Sequence, residues 1–230
     1  MSERASLFSH FVSTRVTFRW LSVLIIASAA VAWIAVGFDI AEIRMFGRLG
    51  LGLVTANDRA AHQFIGRIVL VSQGTMLVLT AIAFMTWLYR SRANLRAFGT
   101  RHLRYSRNWA VFGFLIPVLN LFRPYQVTRE VWQASDPSTT DPFDWKEIET
   151  PRLIRIWWGT FIAFSMLKLL AAWMMSSSAY DPLRLQLAQV VDLTADLMAA
   201  TSVTLVYFVV DRITEAQEVK WSRLGPPPGT

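Results

Sequence analysis

The 230-residue chain contains no cysteine. Disulfide bonds, iron–sulfur clusters, thiolate zinc sites and thiol nucleophiles are therefore excluded. Charged residues are also scarce, at 17% of the sequence, whereas a soluble domain carries about 25%. They are concentrated between long apolar runs, and 53% of the residues are hydrophobic. This combination predicts an all-α membrane protein.

Catalytic motifs are absent as well. The sequence has no glycine-rich phosphate loop and no Gly-x-Ser-x-Gly elbow. Its three histidines, His10, His62 and His102, provide no pair at one depth within the apolar runs, which argues against a bis-histidine haem. We therefore expect no enzymatic activity and no cofactor, and we assign no catalytic or metal-binding residue.

Four apolar runs are long enough to cross a membrane, which takes about 20 residues in a helix. The predicted spans are residues 20–40, 64–89, 153–175 and 185–210. The first run is longer than the core of a signal peptide, so we expect it to be retained. The predicted domains are an amphipathic cytoplasmic segment (1–19), a single transmembrane domain (20–211) and a cytoplasmic tail (212–230).

Several local signals predict where helices begin and end. Residues 5–19 fit either a short interfacial helix or the start of the first span. Thr55 and Asp58 have the spacing of a capping box. Two cap-then-proline pairs, Thr150-Pro151 and Asp181-Pro182, open the third and fourth spans. Three glycines after the first span, Gly47, Gly50 and Gly52, argue against a stable helix there.

Residues 109–122 form a shorter apolar run that decides the topology. At 14 residues it reaches only about 21 Å as a helix, against a hydrocarbon core of about 30 Å. If it dips in and returns as a re-entrant hairpin, 17 of the 23 lysines and arginines lie on one side and 5 on the other. If it crosses, the split is 10 to 12. The positive-inside rule therefore favours four spans, with both termini in the cytoplasm.

Three ionisable residues stand out inside the predicted spans: Lys168, Asp192 and Asp196. Lys168 and Asp192 both lie about 10 Å below the outer ends of consecutive antiparallel spans, which predicts that they touch. Asp196 is one turn deeper on the same face as Asp192. Arg67 and Gln73 lie in the same half of the second span and could join this cluster.

The cluster has two interpretations. It is either an ion pair that packs the third and fourth spans together or a site that binds a proton or another cation. The second becomes more attractive if Arg67 does not balance the second acid.

The segment around the hairpin provides a second group of polar residues. Arg123, Arg129 and Glu130 could pair with one another or with lipid headgroups. This group of residues has two interpretations: it closes the cytoplasmic face of the protein as a structural motif, or it binds a ligand or a lipid headgroup. Its members are Asn120, Arg123, Tyr125, Gln126, Arg129 and Glu130.

These residues also carry a resemblance. The patterns Trp87-Leu-Tyr-Arg90, Asn94-Leu-Arg-Ala97, Ile116-Pro-Val-Leu-Asn-Leu-Phe-Arg-Pro-Tyr-Gln126 and Arg129-Glu-Val-Trp132 are similar to a family of bacterial membrane proteins catalogued as a domain of unknown function. The likeness is strong over residues 87–132 and extends more weakly over about 55–210. It departs from the family at Arg107-Asn108, where a Pro-Gly-like turn is expected. The resemblance implies the bacterial cytoplasmic membrane and supplies no activity.

The net charge of +7 comes mainly from arginines that flank the spans, which indicates contact with anionic lipid headgroups rather than with nucleic acid. The leading functional expectation is a non-catalytic scaffold, assembly or regulatory partner, acting on a protein partner or as a homo-oligomer. The alternative is a small oligomeric transporter or channel that uses the lysine and aspartates.

Overall fold

The computed structural model describes residues 11–49, 51–106, 116–139, 141–177 and 181–224. Within these ranges every regular element is helical, as the sequence predicts. Four of the helices are long and apolar enough to cross a membrane. The elements are α1 (Arg15–Leu49), α2 (Ala56–Ala97), α3 (Pro117–Asn120), α4 (Arg123–Ser135), a 3₁₀ turn (Asp144–Glu147), α5 (Arg152–Ser177) and α6 (Pro182–Leu224). Most of the predicted hairpin, residues 109–115, lies outside the described residues.

The long helices extend beyond the apolar runs that identify them. With 42 residues, α2 is about 63 Å long at 1.5 Å per residue, roughly twice the hydrocarbon core. α6 continues to Leu224, so the predicted tail is helical over residues 212–224. α1 continues through Gly47 to Leu49, so the expectation that no helix forms there is wrong at Gly47. One glycine in a helix costs only about 1 kcal/mol, and the chain turns at Gly52, where φ is +72°.

Two of the predicted helix starts are formed by side-chain caps. Thr55 and Asp58 make the reciprocal capping box at α2: the Asp58 amide donates to Thr55 Oγ1 over 3.1 Å, and the Thr55 amide donates to Asp58 Oδ2 over 2.9 Å. At α6 the Asp181 carboxylate accepts from the amides of Leu183 and Arg184 at 3.0 and 3.3 Å. Both signals are confirmed.

The third predicted start differs. α5 begins at Arg152, directly after Thr150-Pro151. The hydroxyl of Thr150 is buried without a hydrogen-bond partner among the described residues. The proline therefore marks this start, because its fixed φ suits the first turn of a helix, and the threonine side chain does not cap it.

The chain divides into two compact units. The polar unit comprises Met1–Val23, Ala81–Ile156 and Leu205–Thr230. The apolar unit comprises Leu24–Thr80 and Trp157–Thr204.

The polar unit is organised around the buried amide of Gln217 on α6. Its Nε2 donates to the carbonyl of Ser91 over 2.9 Å and to the hydroxyl of Ser135 over 3.0 Å. Its Oε1 accepts from Asn94 Nδ2 over 3.1 Å. One side chain thus connects α2, α4 and α6. Each of these groups finds a partner, which is the condition for burying polar atoms without a large loss of stability.

The residues before α1 are held by the same unit. The side-chain amide of Asn94 donates to the carbonyl of Val12 over 2.9 Å and accepts from its amide over 3.1 Å. The ring of Phe11 stacks on Trp221 with centroids 4.6 Å apart. Residues 11–14 are not helical. Of the two interpretations of segment 5–19, the structure therefore favours the start of the first helix, over residues 15–19, and residues 5–10 lie outside the described part of the chain.

The apolar unit packs its helices through small residues. The buried side chains include Ala32, Ala35, Ala171 and Ala195, which let helix backbones approach closely. Elsewhere the unit presents large apolar residues outward: only 6% of the most apolar window of α2 is buried. An outer surface of this kind suits a lipid environment.

Two glycines of α2 provide a matched test of this packing. A Cβ added at Gly66 would lie 2.9 Å from the Phe38 ring, whereas one at Gly74 meets nothing within 4 Å. Both changes to alanine improve helix propensity by about 0.5–1 kcal/mol. We expect Gly74→Ala to preserve or raise thermal stability in detergent. The free energy of unfolding of Gly66→Ala should be about 1–3 kcal/mol lower than that of Gly74→Ala, because the Phe38 ring, which stacks on His62, has to move. Equal melting of the two variants would contradict this contact.

Candidate functional site

The predicted pair of Lys168 and Asp192 is formed in the apolar unit. Lys168 Nζ on α5 lies 2.8 Å from Asp192 Oδ1 on α6. The same ammonium group lies 2.9 Å from Asp196 Oδ1, one turn further along α6. One lysine therefore bridges two aspartates, and the i, i+4 spacing of the acids is what allows this.

Of the two residues of α2 that were predicted to join the cluster, one does so and the other does not. Gln73 joins the cluster, donating from Nε2 to Asp196 Oδ1 over 3.1 Å. Arg67 is exposed and forms no ion pair with a described residue, so it does not balance the second acid. The reason is helical geometry: six residues at about 100° each place Arg67 about 240° around the helix from Gln73.

A third acid, which sequence analysis missed, completes the cluster. Asp39 of α1 is 7% exposed, and its Oδ2 has no hydrogen-bond partner among the described residues. One carboxylate oxygen from each of Asp39, Asp192 and Asp196 lies within 4.8 Å of the other two. A signal was available, since Asp39 is the only ionisable residue between positions 20 and 40. It lies one residue before the end of the predicted span 20–40, so its position alone does not mark it as an intramembrane charge.

Polar groups continue along α1 and α6 beyond Asp39. Glu42 is three residues further on α1 and Gln189 is three residues before Asp192 on α6, so both lie on the faces that carry the acids. Gln189 Nε2 donates to Glu42 Oε1 over 3.5 Å. The acid cluster is thus one end of a polar layer between these two helices.

The formal charges of the cluster do not balance. Three carboxylates face one ammonium group, which leaves an excess of two negative charges when all are ionised. Like charges this close repel strongly in a medium of low dielectric constant. A proton or another cation is the simplest way to reduce the excess. Carboxylate oxygens are suitable ligands for either.

The second group of predicted residues lies in the polar unit. Gln126 Oε1 accepts from the hydroxyl of Tyr105 over 3.0 Å and from Arg123 NH1 over 3.1 Å. The guanidinium of Arg123 also lies over the Tyr105 ring, 5.1 Å from its centroid. Asn120 Oδ1 is buried without a hydrogen-bond partner among the described residues. The side-chain carbonyl of Asn120 therefore accepts no hydrogen bond from a backbone amide of the described residues.

Glu130 is paired differently from the sequence expectation. Its Oε1 lies 3.2 Å from Nε of Arg92 on α2, and both side chains are almost fully buried. Its carboxylate also accepts from the amides of Arg104 and Tyr105, at 2.6 and 3.4 Å. Burial raises the pKa of Glu130, although Arg92 and these two amides act to lower it. Glu130 thus fixes the segment after α2 to α4. Arg129, one residue earlier, is exposed and forms no ion pair with a described residue.

Arg129 and Tyr125 instead line an open cavity of about 380 Å³. Its other charged residues are Lys146, Glu147, Glu149 and Arg155. Three cations against two acids leave this cavity a net charge of only +1, so it lacks the strong excess of arginine and lysine that marks an anion site. It is a weaker candidate than the acid cluster.

The fold and the site define a class of helical protein. Four of its described helices are long and apolar enough to cross a membrane, and two of them, α1 and α6, contribute the acid cluster. The sequence matches the family described as "Domain of unknown function (DUF4328)" over residues 52–215. Because this is more than half of the chain, the protein belongs to that family. No curated protein and no solved structure matches the chain.

Proposed function

We propose that the protein binds a cation within its acid cluster and moves it across the membrane. The observation that carries the proposal is the third acid: Asp39 is buried beside Asp192 and Asp196, and the one lysine of the cluster pairs only with the latter two. Ionisable residues inside a span lower its stability in the membrane, so a cluster of them there marks a candidate functional site.

The scaffold hypothesis accounts for less of the geometry. An ion pair that only holds α5 to α6 needs Lys168 and one aspartate. It gives no reason for a further buried carboxylate on α1, or for the failure of Arg67 to neutralise the excess charge. An acid without a balancing cation is the condition under which a cation site becomes the better interpretation of the cluster. Nothing in the proposed activity requires a covalent reaction, and we retain the expectation of a non-enzyme.

The proposal places the protein in the bacterial cytoplasmic membrane, with both termini in the cytoplasm. The support is the charge split of 17 to 5 that four spans give. The same arginines would contact anionic headgroups, which also applies to the group around Arg123. A homo-oligomer fits the proposal, since four spans provide few helices to enclose a pathway.

Flux into proteoliposomes tests the proposal. Purified full-length protein is reconstituted, and uptake of protons, sodium, potassium and divalent ions is followed with fluorescent indicators. We expect uptake of at least one cation above empty liposomes. Asp39→Asn should reduce it by about tenfold or more, because the exchange removes one ligand charge without changing side-chain size.

Asp144→Asn is the matched control, since Asp144 is exposed on the 3₁₀ turn of the polar unit. Its uptake should equal that of the wild type. The proposal fails if no cation is taken up, or if Asp39→Asn and Asp144→Asn behave alike. In either case, a protein partner that co-purifies with both variants would restore the scaffold hypothesis.

A further inference from the structure

We infer that the open cavity of the polar unit binds a zwitterionic group in which one phosphate is joined to one primary ammonium group. Phosphatidylethanolamine carries this group in a membrane, and glycerophosphoethanolamine carries it in solution. The cavity is separate from the acid cluster, so the inference does not depend on cation transport.

The walls of the cavity come from three elements of the polar unit. α4 provides Tyr125, Arg129 and Gln133, which lie on one face because they are four residues apart. Residues 146–150 form the second wall, and Arg155 in the first turn of α5 forms the third. At about 380 Å³, the cavity falls within the range of about 300–1,000 Å³ that is usual for small-molecule sites.

Hydrogen bonds hold the second wall against its neighbours. The buried side chain of Gln133 donates from Nε2 to the carbonyl of Ile148 over 2.5 Å. Trp145, directly before this wall, is also buried, and its Nε1 donates to the carbonyl of Arg101 over 3.0 Å. These contacts form the cavity before a ligand enters, which reduces the entropy cost of binding.

The charged side chains of the cavity remain available to a ligand. There are five of them, Arg129, Lys146, Glu147, Glu149 and Arg155. None of the five forms an ion pair with a described residue. Lys146 instead lies over the Trp145 ring, 5.8 Å from its centroid. The two arginines and the two glutamates are therefore the groups that can bind opposite charges on a ligand.

Only a ligand with both signs of charge matches this set. A purely anionic ligand would be repelled by Glu147 and Glu149, and a purely cationic one by three positive side chains. Arginine binds phosphate oxygens through a planar fork of N–H donors, which suits Arg129 and Arg155. A phosphate at one end of the ligand and an ammonium group at the other satisfy both sets.

Thr150 provides an observation that is separate from the charges. It belongs to the second wall, and its hydroxyl oxygen is buried without a hydrogen-bond partner among the described residues. Buried polar atoms are normally paired. A hydroxyl can donate to a phosphate oxygen or accept from an ammonium group. A polar ligand in the cavity would therefore supply the missing partner.

The side chains also favour a primary ammonium group over a quaternary one. Quaternary ammonium groups are recognised by aromatic cages, whereas Tyr125 is the only aromatic residue among the described residues that line the cavity. Carboxylates accept hydrogen bonds, which a primary ammonium group donates and a quaternary one cannot. Glu147 and Glu149 therefore suit ethanolamine better than choline.

The third wall gives the cavity the depth of a lipid headgroup. Arg155 lies in the first turn of α5, a helix that is long and apolar enough to cross a membrane. Long basic side chains near the ends of such helices reach the interface, where the headgroups lie. The fold therefore favours the lipid as the source of the group, and the test includes the soluble compound.

Calorimetric titration tests the ligand class. Purified full-length protein in an uncharged detergent receives dihexanoyl phospholipids with an ethanolamine, choline or glycerol headgroup. We expect the ethanolamine lipid to bind about tenfold more tightly than either of the others, because only it satisfies both signs of charge and donates hydrogen bonds. Binding of glycerophosphoethanolamine about tenfold weaker than the lipid would assign the site to the membrane, and equal binding would assign it to the soluble compound.

Two variants each remove one sign of charge. Arg155→Gln should weaken binding of the ethanolamine lipid about tenfold. Glu149→Gln should weaken it by a similar factor and should strengthen binding of the glycerol lipid, because a repulsion is lost. Arg96→Gln and Glu215→Gln are the matched controls, since both residues are exposed in the polar unit and neither lines the cavity. The controls should bind like the wild type.

Three results would overturn the inference. Absence of binding leaves no site, equal binding of the three lipids shows contact without recognition of the headgroup, and tighter binding of the glycerol lipid shows a simple anion site. Equal effects of Arg155→Gln and Arg96→Gln would place the ligand outside the cavity and also overturn it. If Arg155→Gln does not fold, Arg129→Gln makes the same test on an exposed side chain of α4.

Discussion

Replacing Lys168 by methionine should lower the free energy of unfolding by roughly 3–5 kcal/mol, the usual loss when one partner of a buried ion pair is removed. The change leaves Asp39, Asp192 and Asp196 without the cation that bridges two of them. We expect this loss relative to the wild type in the same detergent. Unfolding by SDS, titrated into mild detergent and followed by tryptophan fluorescence, measures it.

A double-mutant cycle separates this coupling from independent effects. Lys168→Met combined with Asp192→Asn should recover part of the loss, because it removes one of the carboxylates that repel each other. The matched cycle uses Asp196→Asn. Asp196 Oδ1 lies at nearly the same distance from Lys168 Nζ as Asp192 Oδ1 does, but it also accepts a hydrogen bond from Gln73. We expect less recovery there. Additive losses in both cycles would show that the three side chains are not coupled.

The predicted part of the cluster followed from depth along the helices. Lys168 and Asp192 lie in consecutive spans joined by a short link, so equal depth was sufficient to bring them together. Asp39 comes from α1, which is distant in sequence from α6, and depth alone does not tell which non-consecutive helices touch. The error at Arg67 has a related cause: its depth suited the cluster, but its direction around α2 did not.

The polar unit shows a different limit of sequence reasoning. Four long helices and two of the side-chain caps were predictable, because apolar runs and capping residues act locally. The burial of charged residues outside the spans was not predictable from the sequence. Arg92 and Lys220 look like solvated residues in the sequence, yet Arg92 pairs with Glu130 and Lys220 donates to the carbonyl of Ala134 over 3.0 Å. Partners of this kind are set by tertiary packing.

The second large effect on stability is expected at the Arg92–Glu130 pair. The loss on replacing Arg92 and the loss on replacing Glu130 should depend differently on pH. Arg92→Met removes the cation that acts to lower the pKa of Glu130, so that pKa rises further above its usual range. We expect a loss of roughly 3–5 kcal/mol at pH values above that raised pKa, where the buried carboxylate is charged. The loss should shrink as pH falls through the raised pKa of Glu130, because the protonated carboxyl group is neutral.

The sign follows from proton linkage. A carboxyl group with a raised pKa binds its proton more tightly in the folded protein than in the unfolded chain. Its contribution to stability is therefore greatest at low pH and is lost as pH rises through the folded pKa.

Glu130→Gln is the matched variant: it keeps an oxygen for the Arg104 amide but leaves Arg92 charged at every pH. The wild type gains stability as pH falls through the raised pKa of Glu130, and this variant does not, so its loss should grow as pH falls, opposite to the trend for Arg92→Met. Thermal melts of both variants, each referred to the wild type at the same pH, measure the difference. Identical pH profiles would mean that the charge of Glu130 does not govern the stability of this unit.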